Sequence, residues 1–198
     1  MIIHIVGPSG SGKTTLGKKL SKLKDTIIVD TDDIDDPNSM KIVNKYSFKS
    51  KTDINKLIKE LSIKNKNDLN NILVKNKNKN IIFVGFLHAG MGFLEKKLNK
   101  KYSIKIDEDT LWRQYNKRTA TYIHKNFNEI IKLLNGKNIP KKLDFIFSKK
   151  FGIRDGFNCD SINDMKEYIK INKKRAKDNK YSYLTSEEIY DNIIKLLS

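Results

Sequence analysis

Residues 7–14, GPSGSGKT, have the types and spacing of a loop that binds phosphate groups. The stretch fits G-x-x-x-x-G-K-[ST] at every fixed position, and its glycines let backbone N–H groups approach a phosphate chain closely. A following helix adds partial positive charge, Lys13 can reach the outer phosphates, and Thr14 can offer a hydroxyl oxygen to Mg²⁺. An ordinary Gly/Ser turn that precedes Lys-Thr fits the flanking strand and helix patterns less well. The segment therefore predicts a site for ATP with Mg²⁺, whose contacting residues are Gly7, Ser9, Gly10, Ser11, Gly12, Lys13, Thr14 and Thr15.

Five aspartates crowd the end of the second predicted strand, against the basic composition of the chain: Asp30, Asp32, Asp33, Asp35 and Asp36. Clustered carboxylates repel one another unless a cation, a donor or solvent relieves them, and Mg²⁺ would be such a cation. We assign Asp30, with Thr14, to the metal, and Asp32 to the base or substrate contact of a phosphoryl transfer. Asp33 is a further candidate for substrate contact. The alternative is an acidic loop in which an aspartate caps a helix.

Near its end the third predicted strand has Val84-Gly85, where an aspartate would often support the metal in this kind of site. The supporting acid must then come from elsewhere, which favours Asp30. After this strand, His88 and Gly90 are candidates for contact with the substrate, because a glycine permits close backbone approach and a histidine can hydrogen-bond a ligand. The alternative is that His88 only hydrogen-bonds its own loop.

Arginine is scarce in this chain, so two arginines after the fourth predicted strand attract attention. Lysine and arginine together number 40, and only four of these are arginine. Arg113 and Arg118 can grip phosphate in the planar, bidentate manner that lysine lacks. Five positions on a helix separate them by about 140°, so they can flank a phosphate only if the chain bends. The alternative is that both are cations facing solvent.

Short β-branched strands alternate with helices along the chain, and this alternation predicts a parallel sheet with right-handed crossovers. The predicted strands are 2–6, 26–30, 81–86, 102–106 and 181–184. The predicted helices are 13–23, two between 53 and 74, one from about 93, one from about 109 to 134, 162–177, and one that begins at a capping-box pattern, Thr185-Ser186-Glu187-Glu188. Ligands bind at the carboxyl ends of such strands, where the candidate residues lie.

Composition narrows the classes of partner and location. A net charge of +17 over 198 residues makes nucleic acid a possible partner. We do not favour this partner, because the lysines are scattered and are not interleaved with aromatic residues. No apolar run is long enough for a membrane span, and we expect no targeting segment. Cys159 is the only cysteine, which favours a reducing, cytoplasmic location. We expect a single domain over 1–198, as a monomer or homodimer.

These motifs together resemble the P-loop small-molecule kinases, the group that contains nucleoside monophosphate, shikimate and gluconate kinases. The resemblance rests on GPSGSGKTT, DTDDI and LWRQYNKR and covers most of the chain. It implies a three-layer α/β fold with a parallel sheet of order 2-3-1-4-5. It also implies a substrate-binding insert at about 37–80 and a long helix and lid region at about 113–157.

The resemblance also implies roles for particular residues. In the shikimate and gluconate kinase pattern the first Asp of D-x-D supports magnesium and the second meets the substrate hydroxyl, which here are Asp30 and Asp32. Arg113 and Arg118 resemble arginines at the start of the lid. Val84 and His88 replace the Asp and Arg of the adenylate-kinase stretch, so no subfamily is assigned.

The predicted function is transfer of the γ-phosphoryl group of ATP, with Mg²⁺, to a hydroxyl or phosphate of a small-molecule acceptor. Two alternatives stay open. One is a nucleoside or polynucleotide-end kinase that uses the basic surface. The other is a nucleotide-binding protein without transfer activity.

Overall fold

A five-stranded parallel sheet forms the centre of the computed structural model, which describes residues 1–34, 37–46, 51–86, 91–125, 128 and 162–197. The strands are β1 (Ile2–Val6), β2 (Thr26–Asp30), β3 (Asn80–Val84), β4 (Lys100–Ile104) and β5 (Ser182–Leu184). Their order is β2-β3-β1-β4-β5, and each neighbouring pair is parallel. This order confirms the predicted fold class.

Seven helices lie in the described ranges: α1 (Lys13–Leu20), α2 (Pro37–Val43), α3 (Lys51–Lys75), α4 (Met91–Glu95), α5 (Glu108–Lys125), α6 (Ile162–Asp178) and α7 (Ser186–Leu197). The prediction of two helices between 53 and 74 was wrong, because α3 is one helix of 25 residues. Neither glycine nor proline occurs within it, so nothing in its backbone requires a break. The predicted continuation of α5 from 129 to 134 lies outside the described residues.

Two strands end earlier than predicted. The third ends at Val84, two residues before the predicted end at 86, because Gly85 has φ of +122° and leaves the extended conformation. The fourth spans Lys100–Ile104, whereas the prediction was 102–106. Such shifts leave the order of elements unchanged and place the exit of β3 at Gly85.

Apolar side chains cover both faces of the sheet. One cluster joins the strands to α1 and α7: Ile3, Ile5, Leu16, Leu20, Ile82, Val84, Tyr102, Ile104, Ile189 and Ile193. The second lies on the opposite face and includes Ile34, Leu69, Ile81, Phe83 and Leu94, from β3, α3, α4 and the segment after β2. Neighbouring residues of β3 alternate between the two clusters, as the period of two along a strand requires. Helices therefore pack on both faces, which gives the predicted three layers.

The start of α7 carries the predicted capping box. The backbone N–H of Thr185 donates to Glu188 Oε2 at 2.8 Å, and the backbone N–H of Glu188 donates to Thr185 Oγ1 at 3.3 Å. The first of these bonds, with a second from the Thr185 hydroxyl, lowers the pKa of Glu188. Two donors at the helix start are satisfied in this way.

The described chain divides into two compact units. The first unit contains Met1–Gly7, Gly12–Lys105 and Ala176–Ser198, and therefore the whole sheet. The second contains Pro8–Ser11 and Ile106–Arg175, and its core is Leu111 and Met165, with the partly buried Ile106, Trp112, Tyr115, Tyr168 and Ile169 packed around them. Within the described residues, no helix is both long and apolar enough to span a membrane. The predicted single domain, insert and lid stay predictions.

Candidate nucleotide-binding site

Positive φ angles at two glycines shape the predicted phosphate-binding loop. The backbone N–H of Ser11 donates to the Pro8 carbonyl at 3.1 Å and closes a four-residue turn, in which Gly10 has φ of +86°. Gly12 has φ of +85°, and a Cβ there would have open space around it. Because the space is open, the backbone conformation itself requires glycine at position 12.

The start of α1 has no side-chain cap and carries a partial positive charge. Gly12 is the N-cap of α1, and no side chain caps the helix. No acidic residue occurs in the first turn, so the dipole is not offset there. Thr14 and Thr15 are exposed, and the Lys13 ammonium donates to the Gly7 carbonyl at 2.9 Å. An anion at this helix start would meet backbone N–H groups, a lysine and two hydroxyls.

Ser11 supplies an independent sign that the loop accepts a polar ligand. The residue is only 5% exposed, and its Oγ has no hydrogen-bond partner within the described part of the chain. A buried hydroxyl without a partner costs about 1–3 kcal/mol. A phosphate oxygen in the loop would satisfy such a group. The loop residues therefore fit the phosphates of ATP.

At the exit of β2, Asp30 caps a short 3-10 helix, Thr31–Asp33. Its Oδ1 accepts the backbone N–H of Asp32 at 3.1 Å. One of the two carboxylate oxygens of Asp30 therefore caps a helix, as the alternative from the sequence proposed. Asp32 and Asp33 are exposed, whereas Asp35 and Asp36 lie outside the described residues. Across those residues, no group of three or more His, Cys, Asp or Glu side chains could hold a metal ion. Mg²⁺ commonly takes one or two protein oxygens together with substrate phosphates and water, so the assignment of Thr14 and Asp30 to the metal stays a prediction.

The exits of β2 and β3 interlock through Thr31 and Gly85. Thr31 is buried, and its hydroxyl donates to the Val84 carbonyl at 3.3 Å. A Cβ built on Gly85 would lie 2.2 Å from Thr31 Oγ1 and 3.6 Å from Asp30 Oδ1. Glycine is therefore required at position 85 for two reasons, the positive φ and the position of Thr31. Val84 itself packs in the core and contributes no carboxylate.

His4, in the neighbouring strand β1, also fixes the exit of β3. The ring is 1% exposed, and its Nε2 lies 3.0 Å from the Gly85 carbonyl while Nδ1 lies 2.8 Å from the Tyr181 hydroxyl. A carbonyl only accepts, so Nε2 carries the proton, and Nδ1 of the neutral ring accepts from Tyr181. Burial lowers the pKa of His4 to about 4 and raises the pKa of Tyr181. His4 is therefore neutral near pH 7.

The α5 arginines lie on one helix, as their spacing predicted. Arg113 is exposed, and its guanidinium donates to the Asp109 carbonyl and to Thr110 Oγ1, both at 3.3 Å. Both acceptors lie in the first turn of α5. Asp107, just before this helix, accepts the Thr110 N–H at 2.8 Å. That bond lowers the pKa of Asp107. The side chain of Arg118, like His88 and Gly90, lies outside the described residues.

One contact to the loop has no signal in the sequence. The Tyr168 hydroxyl of α6 accepts the backbone N–H of Ser9 at 3.1 Å, across 159 positions of sequence. Tyr168 looks like any other apolar-face residue of an amphipathic helix, so no motif marks it. Thr31 and His4 were likewise not predicted to fix a strand exit.

Comparison with known proteins gives the family. Residues 3–131 match the model of an AAA domain family, AAA_18, so the chain belongs to this family. No curated protein sequence matches the chain. The family and the sheet order confirm the predicted resemblance to P-loop kinases, with no subfamily assigned.

Two solved structures are similar to the chain. A crystal structure of shikimate kinase from Bacteroides thetaiotaomicron has 17% identity and a TM-score of 0.46, over 100% of this chain and 98% of that one. The crystal structure of APE1195 has 13% identity and a TM-score of 0.37, over 87% and 94%. Both TM-scores are low, so the assignment rests on the family and the sheet order.

Proposed function

We propose that this protein transfers the γ-phosphoryl group of ATP, with Mg²⁺, to a hydroxyl or phosphate of a small-molecule acceptor. One observation carries the proposal: the loop 7–14 combines two left-handed glycines, an uncapped helix start and a lysine, with a buried serine hydroxyl that has no partner among the described residues. Backbone donors with a nearby lysine are what a phosphate chain requires.

The residues of the loop would bind and orient the phosphates. The amides at the start of α1 would donate to phosphate oxygens, and Lys13 would exchange its bond to Gly7 for one to the outer phosphates. Thr14 and Asp30 would hold Mg²⁺, which when bound neutralises charge on the phosphates. Such positioning and charge stabilisation supply most of the catalysis in phosphoryl transfer.

The strand order supports the role proposed for Asp32. β3 lies between β2 and β1, so the ends of β2 and β1 are about 10 Å apart, twice the strand spacing. An acceptor bound near Asp32 could then meet the far end of a triphosphate. Asp32 would accept the proton of the attacking hydroxyl, and an acceptor phosphate would need no base.

Five other residues complete the proposal. Asp33, His88 and Gly90 would contact the acceptor. Arg113 and Arg118 would stabilise phosphate charge, for which Arg113 must release its bonds to Asp109 and Thr110.

A screen with labelled ATP tests the proposal. The folded protein is incubated with Mg²⁺ and nucleosides, nucleotides, sugars, sugar acids or oligonucleotide ends. Transfer of label to one class identifies the acceptor, and its loss in Lys13→Ala, with activity kept in Lys18→Ala, assigns the transfer to the loop. Lys18 is the matched control because it is an exposed lysine of the same helix.

A second candidate function is nucleotide binding without transfer. The buried Val84 favours it, because this strand end contributes packing where an acid would support the metal. This candidate predicts that ATP binds with Mg²⁺ and that no acceptor class in the screen becomes labelled.

A further inference from the structure

The turn Pro8–Ser11 rests on two helices of its own compact unit. A Cβ on Gly10 would lie 3.5 Å from Leu111 Cδ1 of α5, so the turn packs closely on that side chain. The Ser9 amide donates to the Tyr168 hydroxyl of α6 at 3.1 Å. Leu111 is fully buried, and Tyr168 is half-buried beside it and Met165. Both supports are therefore part of a packed cluster.

The hydrogen bonds of the turn leave a small set of polar groups for a ligand. Pro8 has no N–H, Ser11 N–H is bonded to the Pro8 carbonyl, and Ser9 N–H is bonded to Tyr168. The Gly10 N–H and the Ser11 Oγ have no partner within the described residues. The bond to Tyr168 thus occupies the Ser9 amide. It also fixes the backbone next to the Gly10 N–H and the Ser11 Oγ, which could then bind a ligand.

We propose that Tyr168 is a positioning residue for phosphate binding, an inference that rests on the proposed function. Its hydroxyl holds the Ser9 amide so that the Gly10 N–H and the Ser11 hydroxyl are pre-oriented for phosphate oxygens. Tyrosine suits this task because its ring is rigid and packs, while its hydroxyl reaches a polar partner. Pre-orientation reduces the ordering that a ligand must impose when it binds.

The test compares Tyr168→Phe with Tyr190→Phe. The first variant removes only the hydroxyl bonded to Ser9. The second removes a hydroxyl that makes no hydrogen bond within the described residues, from a partly buried tyrosine of α7. The full chain is titrated calorimetrically, with Mg²⁺, against ATP, ADP and inorganic tripolyphosphate. Emission from Trp112, the only tryptophan, reports binding in parallel because this residue packs in the Tyr168 cluster.

We expect Tyr168→Phe to weaken all three ligands by about 10-fold, the fold-change that corresponds to one hydrogen bond. An equal loss for tripolyphosphate and ATP assigns the effect to the phosphates and not to the nucleoside part of ATP. Tyr190→Phe should bind as wild type does. Unchanged tripolyphosphate binding in Tyr168→Phe would overturn the role of Tyr168, as would a loss confined to ATP.

A measurement on the wild type keeps the proposal testable if the variant does not fold. Amide exchange followed by NMR should show the Ser9 N–H protected in the unligated protein, and rapid exchange of that amide would overturn the proposal. Failure of the folded wild type to bind any of the three ligands would instead overturn the proposed function itself.

Discussion

The loop after β1 and the exits of β2 and β3 show how differently a site is encoded along one sheet edge. In the loop, backbone conformation dominates, and two glycines with positive φ are what the sequence motif requires. At the exits, residues of β1 and of the segments after β2 and β3 fix one another, because Thr31 fills the space beside Gly85 and His4 bonds the Gly85 carbonyl. The first region is specified locally, and the second only by tertiary contacts.

The largest expected effect is that of Lys13→Ala on the loop. The change removes the positive charge that we propose for the outer phosphates, so turnover should fall about 10³-fold, as when one donor to a developing charge is lost. Steady-state kinetics on the acceptor found in the screen measures this, with Lys18→Ala as control. Near-normal turnover in Lys13→Ala would mean that the loop does not serve the reaction.

Gly85→Ala tests the interlock of the exits. The new Cβ would collide with Thr31 Oγ1 in a backbone conformation that disfavours a side chain, so the free energy of unfolding should fall by about 3 kcal/mol. Urea denaturation measures the change. Gly92→Ala is the control and should be nearly neutral, because no atom of the described residues lies within 4 Å of a Cβ built there. Equal stabilities of the two variants would show that the exits are not interlocked.

His4 predicts a pH dependence for the same exits. Its pKa of about 4 in the folded protein lies below 6.5, so the unfolded chain binds the proton more readily. The contribution of neutral His4 to the free energy of unfolding is therefore fully present above pH 6.5 and is lost as the pH drops towards 4. At 1.36 kcal/mol per pKa unit, this loss amounts to about 3 kcal/mol. Urea denaturation across this range measures it. His4→Gln should remove that part of the acid sensitivity, and an unchanged difference between pH 7 and pH 4 would contradict the account.

Asp32→Asn separates catalysis from binding at the acidic exit. A general base contributes about 10²-fold or more to the rate, so turnover of the variant should fall by about that factor. Its affinity for ATP should stay within about twofold of the wild-type value. Kinetics and calorimetry measure the two quantities, and Asp191→Asn is the control, an exposed aspartate of α7. A collapse of ATP affinity would move Asp32 into the metal site.

The smallest effect concerns Arg113→Lys. If the guanidinium grips phosphate in the closed enzyme, a lysine loses the bidentate geometry and turnover falls about 10-fold. The free energy of unfolding should change by less than about 0.5 kcal/mol, because the arginine is exposed. An unchanged rate would contradict phosphate binding by Arg113 and would leave it as an exposed cation that bonds its own helix.

Much of the fold was predictable because the patterns that specify it are local. Alternating strands and helices gave the parallel sheet and its order through the resemblance, and Thr185 with Glu188 gave the start of α7. The single long α3 was missed because its Lys/Asn-rich middle weakens the apolar periodicity, while the absence of glycine and proline was the better signal. The strand ends at Val84 and Ile104 were missed, because the apolar pattern continues past both positions.

The candidate site divides in the same way. The positive φ angles of Gly10 and Gly12 were predictable from the motif, whereas phosphate binding by the loop and Lys13 stays a prediction. The capping by Asp30 was one of two alternatives that sequence left open, and the structure shows it for one oxygen. The contacts of His4 with Gly85 and of Tyr168 with Ser9 span 81 and 159 positions, so only the folded chain brings them together.

Calorimetric titration of the folded wild-type chain with ATP and Mg²⁺ tests the central claim most directly, with Lys13→Ala titrated alongside. The account predicts heat of association for one ATP per chain and a large loss of affinity in the variant. Absence of any heat with the folded wild type, or equal affinity in the two proteins, would contradict the claim that residues 7–14 bind a triphosphate.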